Sequence, residues 1–225
     1  MTSLVGKPKE GETTSGGAMT GFQGMRWLAR RETLRVTKIW TQTILAPVVS
    51  SLLFILVFGL SLSGRVRNVS GVPYEQFIVP GLITMGMVQA AYSNNASTIF
   101  QARFDRYVND VLSAPMRPWQ MSFGFTVGGV VRALAIGLAL LVLAFFLVDV
   151  PVKHPFELAL AMALGLVLFA SLGLVVGIYA ETFDHTSFIQ NIVILPLTFV
   201  GGVFYSIDIL PSPWHELSHL SLIHI

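Results

Sequence analysis

The chain has 225 residues, 53% of them hydrophobic and 12% charged, where a soluble domain carries roughly 25% charged residues. Its apolar residues are concentrated in long uncharged runs, which excludes a water-soluble fold and leaves one membrane-embedded unit. The absence of cysteine excludes a disulfide framework, a thiolate metal site and a cysteine nucleophile, and a net charge of +2 is too small to imply nucleic acid.

In chain order, Met1–Thr20 holds four Gly and six Ser or Thr without an apolar run. It cannot bury enough surface to fold, and is expected to be a disordered cytoplasmic tail over 1–20. Residues 21–40 read as an amphipathic interfacial helix. Phe22, Met25, Ala29, Val36 and Trp40 share one side of a helical wheel, while Arg31, Arg35 and Lys38 lie opposite, toward lipid headgroups. The plain alternative is a cytoplasmic extension of the first span.

Uncharged windows follow, of 26 residues (Ile39 to Gly64), 27 (Gln76 to Ala102), 14 and 16 on either side of Arg132 (Pro118 to Val148), 23 (Leu158 to Ala180) and 22 (Thr186 to Ile207). About 20 helical residues cross a roughly 30 Å hydrocarbon layer. The windows therefore predict an all-α polytopic bundle of five transmembrane helices, at about 42–63, 77–100, 126–148, 158–179 and 187–206.

Seven Lys or Arg precede the first span, two lie in the next loop, three in the following one (Arg103, Arg106, Arg117) and one, Lys153, in the next. An inside N-terminus gives the cytoplasm ten and the outside three. The positive-inside rule thus places the N-terminus and the 103–117 loop in the cytoplasm.

Arg132 is the ionisable candidate within the spans, and the apolar stretch on its outer side predicts that it snorkels to the cytoplasmic interface. In the second span Gln89, Ser93, Ser97 and Gln101 recur every fourth residue, with Asn94 and Thr98 alongside. Ser187, Gln190, Asn191 and Thr198 repeat the theme in the fifth span, where Pro196 marks a kink. Two readings stay open for these polar residues: hydrogen-bonded joints between helices, or the lining of a cargo path. Ala161, Gly165, Gly173 and Gly177 form a close-packing face on the fourth span.

The 103–118 loop combines charges with Phe104, Tyr107, Val108, Val111 and Leu112 and stops at Ala114-Pro115, the pattern of a short amphipathic helix ended by proline. It either packs on its own bundle or docks a soluble partner. Near the end of the chain, His215-Glu216-Leu217-Ser218-His219 matches H-E-x-x-H, the helical zinc pattern with a glutamate base. A catalytic zinc needs three protein ligands, no acidic residue follows, and Pro211 and Pro213 leave little helix before the motif. The alternative of a membrane zinc hydrolase is therefore weak, and no catalytic residue or metal site is assigned.

Several blocks, in order, resemble the ABC-2 type transporter permeases, in particular the branch of nodulation-factor and daunorubicin exporters. They are Leu45-Ala46-Pro47; Val72-Pro73-Tyr74 with Phe77-Ile78-Val79-Pro80-Gly81; Phe100-Gln101-Ala102-Arg103-Phe104; Asp110-Val111-Leu112-Ser113-Ala114-Pro115; and Pro196-Leu197-Thr198-Phe199 with Gly201-Gly202-Val203-Phe204-Tyr205-Ser206, then Leu210-Pro211 and Pro213-Trp214. The resemblance implies a six-span permease subunit of an ATP-driven exporter in the bacterial cytoplasmic (inner) membrane, moving a hydrophobic or amphipathic compound such as a drug, lipid or glycan. It implies a second permease copy, expected as a homodimer, surrounding membrane lipids, and separate cytoplasmic ATP-binding subunits that hold ATP and Mg. No cofactor is expected on this chain, which contains no G-x-x-x-x-G-K-[ST] phosphate loop. On this resemblance Arg103, Asp105, Arg106, Asp110 and Pro115 form the coupling loop toward the ATPase, and Gln89, Ser93, Asn94, Ser97, Gln190, Asn191 and Thr198 line a translocation path or a dimer interface. The family-like permease domain is expected over 41–219. Residues 220–225 depart from the family's pattern and are expected to be a non-native tail of a truncated chain. A membrane scaffold without transport is the remaining alternative.

Overall fold

A computed structural model describes residues 21–63, 68–69, 72–148 and 155–200. The 1–20 tail, the end of the fifth span, the His215–His219 motif and residues 220–225 lie outside the described residues.

The elements are α1 (Gly21–Lys38), a π-helical turn (Thr41–Leu45), α2 (Ala46–Ser63), a hairpin of β1 (Asn68–Val69) and β2 (Val72–Pro73), then α3 (Tyr74–Phe104), α4 (Val108–Ser113) and α5 (Pro118–Leu147). These are followed by α6 (Pro155–Tyr179), α7 (Phe183–Ile189), a second π-helical turn (Gln190–Ile194) and α8 (Leu195–Val200). The two strands pair antiparallel over two residues each, so the fold is the all-α bundle that the uncharged windows predict. Each window carries helix. By length and composition, Pro118–Phe146 and Pro155–Tyr179 can each cross a membrane, and Gly21–Lys38 with Thr41–Val57 forms a third candidate as one pair bent by 78°. α3 is the longest helix among the described residues at 31 residues, about 45 Å at 1.5 Å per residue. Its polar side chains make it less apolar than α5 and α6.

α5 starts eight residues before the predicted span. Arg117 is extended, Pro118 occupies the first turn where its missing N–H costs nothing, and Gln120 Oε1 accepts the Arg117 N–H at 2.8 Å. The loop helix α4 matches the prediction: Arg106, with φ of 63°, breaks the chain after α3, and Ala114 turns extended before Pro115.

The core is built around α3. Ile78, Leu82 and Met87 pack with Val48 and Ile55 of α2, Ile136 and Leu140 of α5, and Leu166 of α6. The α3–α6 seam is the tightest. A Cβ on Gly173 would collide with the backbone of Tyr92, and one on Gly177 with Ala96 and Ile99. These are the close-packing glycines of the fourth span, and the helix they admit is α3. Across this seam Asn95 Nδ2 donates to the Ala170 carbonyl at 3.0 Å, and the Tyr92 hydroxyl donates to Thr186 O at 3.2 Å.

The seam carries a prediction. Gly173→Ala must separate two backbones, because the obstructing atoms are main-chain atoms, and is expected to cost about 1 to 3 kcal/mol. Gly86→Ala, whose Cβ would sit 3.4 Å from Ser51 Oγ, should change little. Melting of the two variants in detergent distinguishes them.

A polar cavity joined to a loop surface by one helix

Pro47 and Pro196 each follow a π-helical turn by two residues. A proline cannot donate to the carbonyl four residues before it, and the chain relaxes by widening the turn: Ala46 N–H bonds to Thr41 O, and Leu195 N–H to Gln190 O, each five residues back. In the first turn the freed acceptor is the Thr43 carbonyl. Arg132 Nε donates to it at 3.1 Å, and the Thr43 hydroxyl donates to Val36 O at 3.0 Å and Ile39 O at 2.9 Å, closing the end of α1.

This break opens a cavity of about 370 Å³ between the start of α2, the middle of α3, Arg132 of α5 and Gln190. Gln42, Gln89, Ser93 and Gln190 supply polar groups, and Phe54, Leu82, Met85 and Ala90 an apolar wall. Arg132 turns its guanidinium onto the π-helical turn between α1 and α2, where the proline-freed Thr43 carbonyl lies within reach.

The polar stripe of α3 divides. Gln89 and Ser93 line the cavity. Asn94 and Thr98, both buried, face α1, where Arg35 Nη2 donates to Asn94 Oδ1 at 3.3 Å and to the Thr98 hydroxyl. Ser97 bonds back to Ser93 O at 2.7 Å on its own helix. Gln101 is exposed. Of the fifth-span residues, Gln190 reaches the cavity, Asn191 is exposed, and buried Thr198 bonds to Leu195 O at 2.7 Å.

The basic face assigned to α1 differs likewise. The face buried against α5 is Leu28, Glu32 and Val36, with Leu28 filling the space above Gly124 and Glu32 that above Gly128. Arg35 Nε pairs with Glu32 Oε2 at 2.9 Å, so it turns inward, and Arg31 stacks on the Tyr107 ring at 4.5 Å. Burial, then the Glu32 charge, push the Tyr107 hydroxyl above its usual pKa, with Arg31 opposing.

The C-terminal end of α3 meets the start of α5, α1 and the end of α6. Arg103 Nη1 donates to the carbonyls of Gly177 (3.2 Å), Ile178 and Ala180 (3.0 Å), satisfying the open end of α6. Asp105, Arg106, Asp110 and Pro115 are exposed around it. Val111 packs inward with Leu28, Ile99, Phe125 and Leu174, whereas Phe104 and Leu112 are 77% and 62% exposed. One apolar residue of the loop region thus packs on the bundle, as the first reading of the loop helix expects, and two remain on the surface.

Residues 23–225 match the family model described as ABC-2 type transporter. The chain belongs to that family. It is 40% identical over 191 residues to the inner membrane transport permease YadH of Escherichia coli K12, covering 85% of this chain and 75% of the relative. It is 30% identical over 202 residues to nodulation protein J of Rhizobium leguminosarum bv. viciae, covering 87% and 76%. The chain is a multi-pass inner-membrane protein and the permease subunit of an ABC transporter, a family whose members pair with an ABC ATP-binding subunit.

Sequence reasoning missed several residues that organise this permease. Glu32 sits four residues from both Leu28 and Val36 and so belongs to the buried face of α1. Asn95 lies beside the stripe, and Thr43 lies four residues before Pro47, the spacing at which a proline frees a carbonyl.

Glu32 is fully buried, and among the described residues its Oε1 has no partner. Arg35→Ala would strand this carboxylate, with an expected loss of about 3 kcal/mol, the lower end for a broken buried pair because Arg35 is partly exposed. Adding Glu32→Gln should recover most of that loss. A double-mutant cycle on thermal unfolding measures the coupling.

Proposed function

We propose that this permease exports an amphipathic compound, with the polar cavity as part of the cargo path and the α3–α4 end as the docking surface for a separate ATPase. The observation that carries the reading is the continuity of α3, which bears Gln89 and Ser93 in the cavity and ends at Arg103 and Phe104 beside the exposed loop. An unbroken helix transmits displacement along its axis without absorbing it. Force applied to the loop would tilt α3 and change the cavity it lines. Half-apolar, half-polar walls suit a molecule with a polar head and an apolar body.

In this reading the N-terminus and the 103–117 loop are cytoplasmic. ATP and Mg sit on the partner, and this chain holds no cofactor. A second copy of the permease, as a homodimer within the lipid, completes the path. ATP acts by differential affinity of the closed ATPase dimer for one of two permease conformations. Asp105, Arg106, Asp110 and Pro115 offer the exposed contact, while Arg103 positions the loop against α6. Asn94 and Thr98 join helices, so the two readings of the stripe apply to different residues.

Cysteines placed at Ser70 and Ser113 should label from opposite sides of the membrane, Ser70 from outside; labelling of both from one side would defeat the topology. Reversing both loop charges, Arg106→Glu with Asp110→Arg, should weaken ATPase binding about tenfold, or about 1.4 kcal/mol, while membrane insertion is unchanged. Retention of full ATPase binding and of cargo-stimulated hydrolysis would remove the loop from the coupling.

A further inference from the structure

Arg132 presents an unspent charge to the cavity. Its Nε is committed to Thr43 O, but no carboxylate among the described residues pairs with it, and its Nη groups have no protein acceptor there. Neither Nη atom is sealed from the cavity: the buried side-chain atoms without a partner are limited, among the described residues, to Glu32 Oε1. A cation in a membrane-spanning segment is costly unless something compensates it. Arg103, by contrast, places its Nη1 on three carbonyls at the end of α6.

The geometry around Arg132 is that of a pre-aimed fork. The bond to Thr43 O fixes the guanidinium plane through Nε, leaving the two terminal nitrogens to meet a carboxylate or phosphate. Gln42, Gln89 and Ser93 add neutral polar groups on the same cavity, and Phe54, Leu82 and Met85 continue as an apolar wall. A volume of about 370 Å³ lies at the small end of the range for ligand pockets, roughly 300 to 1,000 Å³, and suits a headgroup with the start of its chain.

We propose that Arg132 anchors the anionic headgroup, phosphate or carboxylate, of an amphipathic ligand whose apolar chain lies along the α2–α3 wall. This rests on the reading of the cavity as a cargo path and names the ligand class. The charge would act as a selector: an anion pairs with it, a neutral head leaves it unpaired, and a cation is repelled.

The test uses the purified chain in a neutral polyoxyethylene ether detergent, with labelled dodecyl phosphate and labelled dodecyl glucoside as probes of equal chain length. Dodecyl phosphate should bind about tenfold tighter than the glucoside. Arg132→Gln, which keeps a donor for Thr43 O, should abolish that preference while glucoside binding persists, and Arg132→Lys should keep it. Gln89→Glu leaves Arg132 in place but adds a carboxylate to the cavity, and should abolish the preference as well, so the result does not hang on variants of one structural residue. Equal preference in wild type, Arg132→Gln and Gln89→Glu would overturn the proposal. Glucoside binding without any phosphate preference in the wild type would overturn the anion assignment and leave the cargo path standing, whereas binding of neither probe would defeat both. Displacement of dodecyl phosphate by an equal concentration of inorganic phosphate would assign the site to a free anion and refute the amphipathic ligand.

Discussion

Backbone polar groups inside a bilayer have no water to fall back on, so wherever a helix is interrupted the protein must provide the missing partner. Two of the interruptions in this chain are answered by side chains from neighbouring helices. Thr43 O, freed by Pro47, is met by Arg132. The final carbonyls of α6 are met by Arg103, and Tyr92 adds a second donor to Thr186 O, which already receives the Gln190 N–H. Each repair is a bond between two different helices, so satisfying the backbone also fixes the bundle. An arginine suits the two carbonyl repairs because it offers several donors and cannot be deprotonated away.

α3 sits at the centre of these repairs. It contributes Tyr92, Asn95 and Arg103 to the α6–α7 side, and Asn94 and Thr98 to α1. The small residues of α6 allow the two backbones close enough for such short side chains to reach. Removing Cβ from Gly173 and Gly177 is thus a precondition for the Asn95 and Tyr92 bonds as well as a source of dispersion contact. The same helix pays for its polarity by being mostly wrapped: Tyr92, Asn95, Ala96 and Thr98 are all buried.

Helices and spans were legible in the sequence because charge-free windows and prolines act locally. Each gap between charges carries helix, and among the described residues Pro118–Phe146 and Pro155–Tyr179 are long and apolar enough to cross a membrane; Ala114-Pro115 located the end of α4. Partnership was less legible. A helical wheel sorts residues by direction but cannot say what stands opposite, so Arg35 read as headgroup-facing when Glu32, three residues earlier, and Asn94, on another helix, draw it inward. The partner of Arg132 was hidden for a related reason: hydropathy counts the residues around a charge, and the group that receives its Nε is a carbonyl 89 positions away. The four-residue repeat grouped polar residues that the structure distributes: Gln89 and Ser93 to the cavity, Asn94 and Thr98 to α1, Ser97 to its own helix and Gln101 to the surface. The division between cavity and helix joints depends on which neighbour each residue meets, a tertiary property that a four-residue repeat does not carry.

The two arginines on α3 and α5 separate structure from chemistry. Both answer a carbonyl that the helix geometry left open, and on that ground alone they would be interchangeable. Arg103 places Nη1 among three acceptors at a helix end, where the partial negative charge of the C-terminus adds to the attraction. Arg132 meets a single carbonyl through Nε and keeps its terminal nitrogens on a cavity. A neutral glutamine could have served Thr43 at lower desolvation cost, since one donor was all the break required. The surplus of charge and donors at Arg132 therefore exceeds what the fold asks of the position, and it lies where the proline-widened turns on either side hold the wall of the bundle open.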